Sequence, residues 1–376
     1  ILWRNCYHGT MMFVVNGNYM EDSTGMGILD AIVYEENPYT LYSIVNAQNL
    51  TVSNFPMLAS ENNQKMIDVY SRSQKEVFRD IVWPGLVAVS DNSQLKLTCM
   101  LGTELDDRDC NDPKTDELEY YLKLMKEKDG ELGISLNRIT DTSLLQVLDD
   151  SNTLLEKKDP YTHTALYVDH IAVERMGGFL EFTENLDKYK LTSKVQTITT
   201  DLNWPGNILS FVSDDIVLQA TTIDGVSHTY REDFRVRSLE TSLGYSNILL
   251  DAKRVAWPKE KIERWENMYD IFSRFTDTYW KPYKAFESTT LSESDKRIRD
   301  FLCSDYEHSR TENTINLNIS NMNDEGWFLL RTHGEKIKSI EGGDYIEVEK
   351  NAYIIRAIQP KVEIKLESVV KGYYTE

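Results

Sequence analysis

The sequence predicts an α/β fold, and three observations carry the prediction. Short aliphatic runs, at residues 97–102, 164–168, 195–200 and 244–251 among others, alternate with longer stretches of helical periodicity. Carboxylates collect just past several of these runs, which is where ligands gather in parallel α/β sheets. After about residue 303 the pattern changes to short alternating strands, the mark of an antiparallel β-sandwich. The expected order is the C-terminal remnant of a preceding α/β domain at 1–58, a parallel-sheet domain (open or closed into a barrel) at 59–303, and a small sandwich at 304–376.

Within the first segment, Met11-Met12-Phe13-Val14-Val15 reads as a buried strand closed by the turn Asn16-Gly17-Asn18. Tyr42 to Pro56 is extended and Glu61–Asp80 helical. The strand Leu97-Thr98-Cys99-Met100-Leu101 runs into Glu104-Leu105-Asp106-Asp107-Arg108-Asp109. A helix at Lys114–Lys128 follows, opened by Asp112-Pro113. Gly130 and Gly133 punctuate, Ile134–Leu136 is a short strand, and Thr142–Lys158 is helical. Thr164–Val168 is a strand, Ala172–Leu186 a helix, and Val195–Thr200 a strand ending at Asp201. Gly244–Asp251 is another strand with its polar end at Asp251, and a helix begins near Glu260. In the last segment, strands fall at Thr314–Ile319, Gly326–Arg331, Ile346–Val348, Tyr353–Ile358 and Val362–Leu366, separated by His333-Gly334, Gly342-Gly343 and Gln359-Pro360.

Sixty-one acidic residues against 41 basic ones leave a net charge of −20, which argues against nucleic-acid binding, since phosphate contacts need a basic footprint. The 21 Tyr and seven Trp suit either sugar platforms or a core. Cys6, Cys99, Cys110 and Cys303 form no CxxC pair, so buried free thiols are expected. No apolar run reaches bilayer-spanning length. The start, Ile1-Leu2-Trp3-Arg4, reads like the middle of a domain, so a targeting segment is expected to lie outside this chain.

The Asp turn supports two readings. Asp106, Asp107 and Asp109 repel one another and call for a metal, a basic partner or open water; an acidic solvated turn that caps a helix satisfies the same residues. No Gly-x-Ser-x-Gly elbow supports a nucleophile triad.

Together with Val45-Asn46-Ala47-Gln48-Asn49-Leu50, Asn54-Phe55-Pro56, Ser227-His228-Thr229-Tyr230 and Arg331-Thr332-His333-Gly334-Glu335, the Asp turn resembles the NodB-like polysaccharide deacetylases of carbohydrate esterase family 4. The chain is more closely similar to an uncharacterised bacterial family with a divergent NodB-like domain, related to the Pel-type exopolysaccharide deacetylases. The resemblance implies a distorted (β/α) barrel and metal-dependent removal of acetyl groups from an extracytoplasmic or cell-surface polysaccharide, beside synthesis-machinery partners. It makes Asp106 the base, Asp107 or Asp109 a ligand of zinc or a similar divalent ion with His228 and Glu232, and Asp201, Trp204 and Tyr230 substrate contacts.

The family's His-x-x-x-His motif is absent. The six histidines include no pair four apart, and the position four after His228 is Glu232, which can itself ligate through oxygen. His163 and His170, seven apart on either side of a strand, are expected to face opposite ways. The alternative is a catalytically degenerate module that binds polysaccharide or a synthesis partner without hydrolysis. A metal-free glycosidase using Asp106 and Glu232 is the third reading.

Overall fold

The computed structural model describes residues 2–57, 63–102, 115–136, 165–175, 177–188, 192–256 and 258–368. Its centre is a nine-stranded sheet built from β4 (Ala47–Ser53), β5 (Leu97–Gly102), β6 (Glu131–Leu136), β7 (Ala165–Val168), β8 (Thr197–Thr200), β9 (Leu209–Phe211), β10 (Val217–Gln219), β11 (Ile223–Asp224) and β12 (Tyr245–Asp251). The order is β11-β12-β4-β5-β6-β7-β8-β10-β9, parallel throughout except for the β9–β10 hairpin. The parallel-sheet class predicted from the alternating runs is therefore present as a curled half-barrel.

Alternation along each strand divides the sheet into two faces. Leu50 and Val52, Leu97, Cys99 and Leu101, Ile134 and Leu136, Leu166 and Val168, and Ile248 and Leu250 point outward and join the main hydrophobic core with the surrounding helices. The intervening residues point inward and are largely polar. The curl follows from their contacts: Tyr167 of β7 and Leu249 of β12, with three strands between them in the sheet, meet in one cluster with Met100, Ala165 and Leu291.

Below that cluster, Asn49 donates to Gln219 Oε1 and Ser294 Oγ at 3.1 and 3.0 Å, and Gln219 donates to Thr197 Oγ1 and the Leu291 carbonyl at 2.6 and 2.8 Å. Thr51 donates to Asn247, and Asn247 to Thr199. The helix Leu291–Cys303 closes the lower end, its first amide bonded to Thr98 Oγ1 at 3.1 Å. A buried polar interior is tolerated only when its donors and acceptors are paired, which this network achieves.

Several local expectations change. Gly133 lies inside β6, where a Cβ would stand 2.6 Å from the Ala165 carbonyl; close strand packing, not punctuation, requires glycine there. The helix expected over 61–80 breaks at Ser71, in the left-handed region at φ +55°, and restarts at Gln74 under a Ser73–Glu76 capping box. The helix expected over 172–186 divides at Gly177 and Gly178, with φ +91° and +110°, into His170–Arg175 and Phe179–Leu186. The helix expected at 142–158 lies outside the described residues.

The antiparallel part contains β13 (Asp305–Thr311), β14 (Thr314–Ser320), β15 (Gly326–Thr332), β16 (Glu335–Glu341), β17 (Gly343–Glu349), β18 (Ala352–Ala357) and β19 (Lys361–Ser368). They form two four-stranded sheets, β13-β14-β19-β16 and β17-β18-β15-β3, packed over Leu317, Phe328, Tyr353 and Ile364. Here the boundary drawn at residue 58 is corrected. β3 (Tyr39–Ile44) pairs with β15 in the sandwich, and β4, two residues later, is an inner strand of the parallel sheet. Strand pairing recruits 39–53 into both later units instead of leaving a separate remnant. The strand expected at 11–15 is present as β2 (Thr10–Val15), paired with β1 (Leu2–Tyr7), but Met11, Met12 and Val14 are exposed rather than buried. Cys99 is a buried free thiol, whereas Cys6 and Cys303 are exposed.

Phe55 is fully buried, its ring 5.9 Å from those of Phe78 and Trp83 and 5.2 Å from that of Tyr121. Phe55→Ala is expected to cost about 3–5 kcal/mol of stability in chemical denaturation. A loss below about 1 kcal/mol would contradict this packing.

Candidate functional site

Strand alternation extends past the C-terminal ends of the half-barrel strands. Asp169 and Asp201 stand one residue beyond β7 and β8, in register with each other, and Asp251 is the last residue of β12. Each continues the inward-facing series of its strand. Burial, with the charges of Asp251, Asp201, Asp169 and Asp224 around it, pushes the Tyr167 hydroxyl well above its ordinary range. These carboxylates therefore share one field over the barrel mouth.

The best-defined contact is between His170 and Asp201. His170 Nδ1 lies 2.8 and 2.7 Å from the two Asp201 oxygens, and the His170 amide donates to Oδ2 at 2.9 Å. The Asn203 amide donates to Oδ1 at 2.8 Å, so the loop after β8 holds the carboxylate in place. Asp169 Oδ1 accepts from the Ile171 amide at 2.8 Å and lies 3.9 Å from His170 Nδ1. Both side chains of the His170–Asp201 pair are largely withdrawn from solvent, at 13% and 14% exposure. Ligand atoms of Asp169, His170 and Asp201 all fall within 4.8 Å of one another, the one such group of three among the described residues. Two carboxylates with an imidazole suit a borderline divalent cation.

Across the mouth, Asp251 Oδ1 accepts from Asn54 Nδ2 at 2.7 Å and from the Lys253 amide at 3.0 Å, with Ser53 Oγ at 3.4 Å. Asn54 Oδ1 in turn accepts from Ser135 Oγ at 3.3 Å. Beside them, Arg254 bonds Asp224 at 2.8 Å.

Of the residues singled out from the sequence, Asp106, Asp107 and Asp109 lie outside the described residues. Asp201 is at the site, as a partner of His170. Glu232 is engaged in the capping box of the helix Tyr230–Leu243, accepting from the Thr229 amide at 2.6 Å. The His228 ring packs 4.7 Å from that of Phe275 and 5.7 Å from that of Tyr279. His228 and Glu232 thus join no three-ligand group among the described residues. Trp204 donates to the Asn207 carbonyl at 3.0 Å and sets its ring edge-on to Phe179, while Tyr230 is 80% exposed at the start of its helix. Asp169, His170 and Asp251 were not singled out as site residues. Their signal was position: each falls at or just past the end of a predicted parallel strand.

The fold and the site together define an α/β protein with a polar-lined, curled parallel sheet and an Asp/His/Asp cluster at its C-terminal edge. The chain belongs to a family of uncharacterised proteins conserved in bacteria (DUF2194), which it matches over residues 1–137 and 246–354. The Asp169–His170–Asp201 cluster lies between the matched segments; Asn54, Ser135 and Asp251 lie within them. No curated protein matches the chain. Among solved structures, an endo-beta1,6-glucanase is 9% identical at a TM-score of 0.37, covering 85% of this chain and 83% of that one. A Thermotoga maritima alpha-fucosidase, in complex with a mechanism-based inhibitor, is 11% identical at 0.32, covering 85% of this chain and 95% of that one. Both proteins are glycoside hydrolases by name, and at these scores neither likeness carries an argument about this chain. No helix among the described residues is long and apolar enough to cross a membrane.

Burial alone would lower the His170 pKa, but the hydrogen bond and charge of Asp201 outweigh it, and the imidazole is held above its ordinary range. A raised value means that protonation favours the folded state. The stabilisation is complete below about pH 6.5, the unfolded value, and is lost as pH rises through the folded one. NMR titration of the metal-free chain is expected to put His170 above 6.5, with Asp201→Asn bringing it down. An unchanged midpoint in that variant would contradict the pairing.

Proposed function

We propose that the chain is a polysaccharide-directed hydrolase whose chemistry lies at the C-terminal edge of the curled sheet, with Asp169, His170 and Asp201 as the ligands of a divalent cation. The observation that carries this reading is the convergence of the three side chains within 4.8 Å at the end of two adjacent parallel strands. A bound divalent ion would supply Lewis acidity toward a substrate carbonyl. Asp201 orients the imidazole, and the loop amides of Ile171 and Asn203 hold the two carboxylates. The substrate class, an N-acetylated extracytoplasmic polysaccharide, and the reaction, deacetylation, rest on the sequence resemblance to the NodB-like deacetylases. In this reading the cluster replaces the absent His-x-x-x-His pair.

A second reading is favoured by the close contact of Nδ1 with both Asp201 oxygens. It makes His170 and Asp201 an acid–base pair that works without metal, with Nε2 exchanging the proton. A polysaccharide-binding module without hydrolysis is the remaining alternative.

Elemental analysis after zinc loading and desalting separates the three. About one ion per chain, lost in Asp169→Ala and His170→Ala and retained in His228→Ala, is the expected result, together with acetate release from N-acetylglucosamine oligomers. Acetate release without metal would select the acid–base pair. Neither metal nor acetate release would leave the binding module.

A further inference from the structure

At the barrel mouth, Asp251 is held through one of its two oxygens. Oδ1 takes the Asn54 side-chain amide, the Lys253 backbone amide and the more distant Ser53 hydroxyl, and these bonds leave Oδ2 outside the set. The donor on Asn54 is itself oriented, since Ser135 Oγ occupies the other end of that amide at 3.3 Å. Residues of β6, the end of β4 and β12 therefore fix Oδ1 and leave Oδ2 outside these bonds.

We propose that Asp251 is a proton-transferring residue of the hydrolytic site, with Asn54 as the positioning residue that decides which of its oxygens faces the substrate. The assignment rests on the hydrolase reading above. In its acid form Asp251 gives the Oδ2 proton to the leaving nitrogen or oxygen as that atom's bond to carbon breaks. The carboxylate left behind regains a proton from bulk water, and the water that adds to the carbon gives up its own proton to bulk water. One turnover consumes one water and returns Asp251 to its starting state.

The surroundings suit that role. Burial pushes the Asp251 carboxyl above its ordinary range, against the opposing pull of Asn54, the Lys253 amide and the charges of Lys253 and Arg254. Tyr167 faces it from β7, and Asp224 on β11 draws Arg254 into an ion pair at 2.8 Å. The carboxyl therefore keeps its proton to a higher pH than a solvated aspartate. Asn54 sits in the left-handed region at φ +56°, which asparagine tolerates and which turns its side chain back over the end of β12.

Leaving-group dependence tests the proposal. An N-acetylglucosamine oligomer has a leaving amine that must be protonated, whereas 4-nitrophenyl acetate releases a phenolate that needs no proton. Asp251→Asn is expected to slow acetate release from the oligomer by about 10²–10⁴-fold. It should leave 4-nitrophenolate release within about threefold of the wild type, and abolish the fall in oligomer activity on the alkaline side of the pH profile. Asn54→Gly keeps the backbone free to adopt the positive φ and should show the same selectivity more weakly. It also provides the test if Asp251→Asn does not fold. An equal loss on both substrates, or an unaltered pH profile, would overturn the role of Asp251 while leaving the hydrolase reading intact. A wild-type chain inactive on both substrates would remove the two together.

Discussion

The polar inward-facing positions of the half-barrel depend on hydrogen bonding away from water. The parallel sheet gives its outer face to the main core, so its inner face has to be filled by side chains and by the end of the helix Leu291–Cys303. Most of those side chains are amides and hydroxyls. Leaving one of them buried and unpaired costs about 1–3 kcal/mol, so their mutual satisfaction is a condition of the curl. Asn49, Gln219 and Ser294 meet it at the bottom, and Thr51, Asn247 and Thr199 meet it higher up. Tyr167, Leu249 and Met100 supply an apolar middle.

The same alternation generates the site. A strand that puts a threonine or asparagine inside at its lower end puts another inward residue at its upper end, two or four positions later. In β12 the series is Asn247, Leu249, Asp251; in β7 it is Ala165, Tyr167, with Asp169 next; in β8 it is Thr197, Thr199, with Asp201 next. Carboxylates gathered in this way repel, and each is compensated differently. Asp201 takes the His170 ring, Asp169 takes a helix amide, Asp224 takes Arg254, and Asp251 takes neutral donors while burial raises its carboxyl above the ordinary range. In the proposed function, different compensation of like groups within one field is what lets one site hold both cation ligands and a proton donor.

The sandwich is tied to this sheet by covalent and packing constraints together. β3 completes a sandwich sheet two residues before β4 enters the half-barrel, so the two units share a segment that neither can release without losing a strand. The helix Met26–Glu36 is held on the sandwich as well: the His333 ring stacks on Tyr34 and its Nε2 lies 2.9 and 3.0 Å from the Tyr34 and Asn37 carbonyls. His333 acts here as a clamp at the end of that helix.

Much of this was legible in the chain itself. Periodicity of two within 97–102, 195–200 and 244–251 and its helical counterpart between them determine a parallel α/β sheet, and short alternating runs after 303 determine the sandwich, because local alternation alone decides which residues can share a face. The same reasoning put Asp201 at a strand end. It could not join Asp201 to His170, 31 residues earlier, because that contact needs β7 and β8 to be neighbours in register, a property of pairing between strands and not of either strand. His228 and Glu232 stand where the family's two histidines would, yet Glu232 serves the helix's own first turn and His228 packs on aromatic rings contributed by a later helix. Sequence determines what each segment can bury and where its polar end falls. Only the curl of the sheet decides which polar ends meet, because that depends on strand order, register and the filling of an interior assembled from nine separate segments.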